Sequence, residues 1–117
     1  KFEYDKDEII INADYGHLNR TLINLFRNSV QASAKNILIN ISSESGMCFI
    51  KLLDDGKGID KENIEKIFEE NFTTKSGGMG LGLSMAKKFL ENIGGNISVK
   101  KTSAEGTAFL ITIPLAE

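Results

Sequence analysis

The chain has 117 residues, of which 41% are hydrophobic and 26% charged, with a formal net charge of -2. That is enough apolar material for the core of one domain, and the slight acidity argues against a nucleic-acid footprint, which needs a cationic surplus. No apolar run approaches the roughly 20 residues that span a bilayer, and no charged-then-apolar leader opens the chain, so a cytoplasmic domain with no membrane contact of its own is expected.

The first dozen residues end in Ile9-Ile10-Ile11 and read as an extended segment followed by a break. Asp14 is a candidate N-cap for a long helix. Leu18, Leu22, Leu25, Ser29 and Ala32 recur at three and four residues and form its packing face. Arg20, Asn24, Asn28 and Gln31 form a second, polar stripe. Ile37, Ile39 and Ile41 alternate as in a strand, Glu44-Ser45-Gly46 is a turn, and Phe49 to Leu53 is the partner strand of a hairpin. The one cysteine, Cys48, precedes that strand in an apolar stretch and reads as a buried, inert thiol.

Asp54-Asp55-Gly56-Lys57-Gly58 follows as a loop, and Asp60 is expected to cap a short helix through Ile64 and Ile67. From Asn71 to Gly80 there is no period, which reads as a flexible loop. A second helix is predicted from about Leu81 to Ile93, with Leu83, Ala86, Leu90 and Ile93 buried and Lys87, Lys88 and Glu91 wet. Gly94-Gly95 ends it through a left-handed cap. Strands from Asn96 to Lys101 and from Ala108 to Ile113 flank the turn Ser103-Ala104-Glu105-Gly106. The predicted class is α+β: a two-layer sandwich with a mixed, mostly antiparallel sheet of about five strands and helices on one face.

Three stretches carry chemistry. Asn24 and Asn28 are one helical turn apart and share a face. An amide oxygen is a hard ligand that suits Mg²⁺, although a polar stripe is also what an ordinary solvated face looks like. In Asp54-Asp55-Gly56-Lys57-Gly58, a carboxylate at a strand end can accept from an exocyclic amine, and glycines admit a ligand close to the backbone; the same residues also make a plain surface turn. Gly77-Gly78-Met79-Gly80-Leu81-Gly82-Leu83-Ser84 feeds glycines into a helix start, where free N–H groups suit phosphate, or it is a connector. It is neither a P-loop nor a dinucleotide fingerprint.

Taken in order, Asn24-Leu25-Phe26-Arg27-Asn28, Asp54-Asp55-Gly56-Lys57-Gly58-Ile59, Ile67-Phe68-Glu69 with Phe72-Thr73-Thr74-Lys75, Gly78-Met79-Gly80-Leu81-Gly82-Leu83 and Gly106-Thr107 resemble the boxes of the histidine kinase ATP-binding domain. That family shares a superfamily with DNA gyrase, the ninety-kilodalton heat-shock chaperone and mismatch-repair ATPases. The resemblance runs from about Asp14 to Pro114 and implies an α/β sandwich.

It also implies roles. Asn28 would coordinate Mg²⁺ at the phosphates of ATP, with Asn24 near the transferring phosphate. Asp54 rather than Asp55 would read the adenine amine. Gly56, Gly58 and Ile59 would border the base, and Thr107 would lie near the pocket floor. Phe68 and Phe72 would flank a mobile lid holding Thr73, Thr74 and Lys75, and Lys75 would reach a phosphate. Gly78, Gly80, Leu81, Gly82 and Leu83 would form its hinge and phosphate-facing amides. The chain departs from the family at Glu70-Asn71, where Pro-Phe is frequent, at Ser29, where alanine is usual, and at Gln31, where many members carry a phosphate-contacting cation; Arg27 is then a candidate source of that charge.

The implied activity is phosphoryl transfer from ATP to a histidine in two-component signalling. Hydrolysing relatives carry a glutamate base where this chain has Asn24, and an amide accepts no proton at neutral pH. His17 is the one histidine and reads as structural. The acceptor is therefore expected on a separate helical dimerisation domain, with a response regulator receiving the phosphate later. Residues 1–117 are expected to be one catalytic domain of a longer kinase. The alternatives are an anti-sigma-factor-type serine kinase and a non-enzymatic nucleotide-gated binding module.

Overall fold

The computed structural model describes residues 2–4, 11, 13–69 and 80–116. Five strands and two helices are present among them: β1 (Phe2–Tyr4), α1 (Tyr15–Gln31), β2 (Ile37–Glu44), β3 (Met47–Asp54), a short 3-10 turn (Lys61–Asn63), α2 (Gly80–Asn92), β4 (Asn96–Ser103) and β5 (Gly106–Pro114). The sheet order is β1-β2-β3-β5-β4. Four strands form an antiparallel meander-like block, and short β1 adds to its edge in parallel to β2. This is the expected α+β sandwich.

Local chemistry places the elements well. Asp14 caps α1, its Oδ1 accepting from the His17 backbone N–H at 3.0 Å. That hydrogen bond is the main reason its carboxyl sits below the ordinary value. The β2–β3 hairpin turns on Ser45 and Gly46, with φ of 52° and 80°. Two positive φ values are what a two-residue I′ turn requires. Gly94, at φ 85°, follows α2; its N–H reaches the Glu91 carbonyl at 3.1 Å while the Gly95 N–H reaches the Leu90 carbonyl at 2.7 Å. That paired pattern is a Schellman cap.

Helix α1 ends in the same way without a glycine. Ser33 takes φ 64°, its N–H bonds the Val30 carbonyl at 2.9 Å, and the Ala34 N–H bonds the Ser29 carbonyl at 2.9 Å. Asp60 does not do what was expected of it. It sits at the N-cap position of the 3-10 turn, but its side chain makes no capping bond. Its backbone carbonyl accepts from the Asn63 N–H instead. Of the extended segment expected over the first dozen residues, Phe2–Tyr4 forms β1 and Ile11 bridges to Leu115, while Ile9 and Ile10 lie outside the described residues.

The helices cover one face of the sheet. Along β5 burial alternates, with Thr107, Phe109, Ile111 and Ile113 turned inward. Phe109, Ile111 and Ile113 meet Ile39, Cys48, Ile50, Leu52 and Ile97 from the other strands and Leu25, Leu83 and Leu90 from the helices. Each fully buried aliphatic or phenyl side chain contributes about 1.5–3 kcal/mol over exposure. Cys48 is part of this core, as its sequence context predicted. No helix among the described residues is long and apolar enough to cross a membrane.

Candidate functional site

The loop after β3 is held from three sides, and Asp54 is the residue on which the three converge. Its Oδ1 accepts from the Gly56 N–H at 2.9 Å and from the Thr107 N–H at 3.3 Å. Its Oδ2 accepts from the Ser29 hydroxyl of α1 at 2.7 Å. A carboxylate offers about four acceptor positions, so one on Oδ2 remains for a further donor.

Asp55 does different work. It accepts from the Lys35 N–H at 2.7 Å, the Asn36 N–H at 3.0 Å and the Asn36 side-chain amide at 2.9 Å. These bonds, with Asn36 foremost, pull its carboxyl down to about 2. The two adjacent aspartates therefore divide the tasks: Asp55 ties the loop to the α1–β2 connection, and Asp54 keeps an acceptor in reserve.

The glycines of this loop have reasons inside the fold. A Cβ on Gly56 would lie 2.7 Å from the Ala32 carbonyl oxygen, the same oxygen that accepts from the Lys57 N–H at 2.9 Å. Gly58 has φ 84°, and a Cβ there would lie 2.0 Å from the Ser103 carbonyl oxygen. Gly58, expected to be bare so that a ligand could approach, is given a structural reason by the fold as well, since Ser103 at the end of β4 fills the space a Cβ would need.

Beside Gly58, the Ile59 N–H donates to Thr102 Oγ1 at 2.9 Å, and the Thr102 and Thr107 hydroxyls are 2.8 Å apart. Ile59 packs against the core while remaining half-buried. Thr107, buried at 6% exposure, therefore faces Asp54 through its backbone and Thr102 through its side chain. Thr102 was missed in the sequence. The β4–β5 turn pairs it with Thr107, so counting outward from Ala104-Glu105 would have found it.

Helix α1 connects this end to a second region. Asn24 is only 8% exposed, so it is not on the wet face that a polar stripe suggests. Together with His17, Arg20, Thr21, Met85, Ala86, Lys88, Phe89 and Asn92 it lines a groove of about 250 Å³ between α1 and α2. The His17 ring lies 5.0 Å from the Phe89 ring, and its Nδ1 is 3.6 Å from Asp14. Asn28 is half-buried one turn beyond Asn24, next to Ser29. The distance along the axis from Asn24 to Ser29 is about 7.5 Å at 1.5 Å per residue. Arg27 and Gln31 are exposed.

Among the described residues no cluster of three or more His, Cys, Asp or Glu side chains could hold a metal alone. A single amide oxygen at Asn28 fits Mg²⁺ only in the way such ions usually bind, with phosphates and water supplying most of the shell.

Phe72, Thr73, Thr74, Lys75 and Gly78 lie outside the described residues. Gly80, Leu81 and Gly82 open α2. Leu83, expected among the ATP-contacting residues, is 3% exposed and packs in the core. Lys87, expected on the wet face, is one-third exposed and also tied down. Its Nζ donates to Asn96 Oδ1 at 2.9 Å and the Ile97 carbonyl at 3.4 Å, lies 3.8 Å from Glu91, and sits 5.2 Å over the Phe68 ring.

Comparison with known proteins gives the chain a family. Residues 13–117 match the family described as histidine kinase-, DNA gyrase B- and HSP90-like ATPase. The sensor protein FixL of Bradyrhizobium diazoefficiens is 30% identical over 100% of the chain and 24% of its own length. The sensor histidine kinase ZraS of Salmonella typhimurium is 38% identical over 90% of the chain and 23% of its own length. Sporulation kinase A of Bacillus subtilis is 35% identical over 95% of the chain and 19% of its own length. The chain thus spans about a quarter or less of these relatives.

Among solved structures, the catalytic domain of histidine kinase ThkA superposes with a TM-score of 0.80 at 34% identity, covering 97% of this chain and 76% of that one. Full-length ShkA in complex with AMPPNP gives a TM-score of 0.83 at 26% identity, over 98% of this chain and 25% of that one. With the ordered boxes, the sandwich and the anchored aspartate all in place, the chain belongs to the histidine kinase-, DNA gyrase B- and HSP90-like ATPase family.

Proposed function

We propose that this chain is the ATP-binding catalytic domain of a histidine kinase, passing the terminal phosphate of ATP to a histidine on a separate helical dimerisation domain, from which a response regulator takes it. The observation that carries the reading is the Asp54 carboxylate, anchored by α1, its own loop and β5, with one acceptor position left on Oδ2. An adenine amine is a donor that such an acceptor selects. Relatives named as sensor histidine kinases and a neighbour solved with AMPPNP support the same assignment.

On this reading α1 is a ruler. Ser29, bonded to Asp54 of β3, would mark the base end, and Asn28 and Asn24 would lie toward the phosphates. Mg²⁺ supplies charge neutralisation for transfer when bound. Asn28 would hold it jointly with the phosphates. Asn24 orients but takes no proton, because an amide has no basic lone pair at neutral pH, which favours transfer over hydrolysis.

Calorimetric titration with ATP and with GTP, each with Mg²⁺, tests the reading alongside Asp54→Ala. ATP is expected to bind more tightly than GTP, and the variant is expected to lose about 1.5–3 kcal/mol, the worth of a hydrogen bond to a charged group. A folded chain that binds neither nucleotide, or an Asp54→Ala chain with unchanged ATP affinity, rejects it.

A further inference from the structure

The hydroxyl of Ser29 is bonded to the very carboxylate assigned to the base. Ser29 is 0% exposed, so no ligand touches it. An ionised carboxylate only accepts, which makes the hydroxyl the donor to Asp54 Oδ2 across 2.7 Å, the short length of a charge-assisted bond.

The consequence follows from how the carboxylate is held. The terminal torsion of an aspartate is soft and roughly two-fold. The two oxygens turn together about that torsion, and three donors among the described residues restrain it: the Gly56 N–H on Oδ1 at 2.9 Å, the Thr107 N–H on Oδ1 at a long 3.3 Å, and the Ser29 hydroxyl on Oδ2 at 2.7 Å, the shortest of the three. Ser29 therefore makes the shortest restraint on that torsion and the one that acts on Oδ2 itself, aiming its remaining acceptor position in one direction.

From this we infer that Ser29 is a specificity-positioning residue, which by fixing Asp54 makes the site discriminate 6-amino from 6-oxo purines. The inference rests on the placement of the base at Asp54 proposed above. A fixed acceptor meets the 6-amino group of adenine as a donor and the 6-oxo group of hypoxanthine as a second acceptor. A buried acceptor set against an acceptor is rejected strongly, because neither regains the hydrogen bond it had in water. A carboxylate free to turn loses part of its bond to the amine and escapes part of the clash with the oxo group. Ser29 therefore acts on the ratio of the two nucleotides more than on binding as such.

The experiment is titration of the 117-residue chain with Mg-ATP and Mg-ITP in the wild type, Ser29→Ala, Ser29→Thr and Asp54→Ala, with a melting curve for each. Ser29→Ala is expected to narrow the ATP-over-ITP preference about tenfold, the size of one lost charged hydrogen bond, mainly through weaker ATP binding. Ser29→Thr, which returns a hydroxyl at the same Cβ, is expected to restore it.

A Ser29→Ala chain that keeps the wild-type ratio overturns the inference, as does one in which both nucleotides weaken equally, since that marks a purely structural role. So does a folded Ser29→Thr chain whose ratio stays narrow. The Asp54→Ala arm separates two failures. If the preference vanishes there but survives in Ser29→Ala, only the role of Ser29 is wrong; if it survives in Asp54→Ala, the base is not at Asp54 and both readings fall.

Discussion

Asn36 grips Asp55 with both its backbone N–H and its side-chain amide, at 3.0 Å to Oδ1 and 2.9 Å to Oδ2. With the Lys35 N–H on the same Oδ1 at 2.7 Å, this clamp joins the loop that carries Asp54 to the connection between α1 and β2.

The clamp predicts a pH dependence. The carboxyl of Asp55 is lowered from 3.8 to about 2 in the folded chain. A group depressed on folding contributes stability above its unfolded value and loses it as pH falls through its folded value. Stability should therefore decline from about pH 4 toward pH 2 in the wild type, and Asp55→Ala should be less stable at neutral pH with a shallower decline over that window. Urea unfolding at several pH values checks this; an unchanged acid slope in the variant would remove Asp55 from the account.

Gly58→Ala should damage the fold before it damages any binding. A left-handed non-glycine residue costs about 1–2 kcal/mol, and forcing atoms into packed space costs about 1–3 kcal/mol more. The added Cβ would lie 2.0 Å from the Ser103 carbonyl oxygen, so the loss should be at least about 2 kcal/mol by these terms. Denaturant midpoints give the answer, and a wild-type midpoint would mean that the β4–β5 turn moves aside freely.

Ser33→Gly should do the reverse. Ser33 holds φ 64° in the cap of α1, and glycine takes that conformation without a Cβ penalty. After the greater unfolded-state entropy of glycine is subtracted, a gain of about 0.5–1 kcal/mol is expected from relieving the left-handed strain. A lower Tm in the variant would show that the serine side chain supports the cap.

Lys87→Met should cost about 1 kcal/mol, the ordinary worth of its hydrogen bond, since methionine keeps most of the aliphatic stem while losing the bond to Asn96 and the position over Phe68. Equal stability by chemical denaturation would make Lys87 a solvated residue after all.

On the function proposed above, Asn28→Ala should leave Tm unchanged and abolish phosphoryl transfer in a full-length kinase carrying this domain, because a half-buried amide is lost while the core of Leu25 and Ser29 is untouched. Radiolabel transfer to the acceptor domain, run beside a melting curve, tests the pair of outcomes. Wild-type transfer would refute the metal role.

Much of this was legible along the chain because its causes are local. Asp14 caps α1 through a residue three positions away, Ser45-Gly46 supplies the positive φ of its own turn, and Gly94-Gly95 closes α2 on its own last carbonyls. The alternation of Ile37, Ile39 and Ile41 marked one face of β2, where Ile39 is buried, since successive strand side chains point to opposite faces. The order of the boxes singled out Asp54 and Thr107, which the fold brings into hydrogen-bond contact.

What the sequence alone determined, then, was the set of elements, their inward faces and the family, because periodicity, caps and turn chemistry act over three or four residues. Only the tertiary structure decided the rest. It set Ser29 against Asp54 across 25 positions of chain and Thr107 across 53, gave Gly58 its reason in Ser103, divided Asp54 from Asp55, and turned Asn24 from a wet stripe into a groove wall. Those outcomes depend on which strand ends and helix ends arrive at the same place, and hydrogen-bond partners separated by that much chain are chosen by the packing of the whole sandwich rather than by any local pattern.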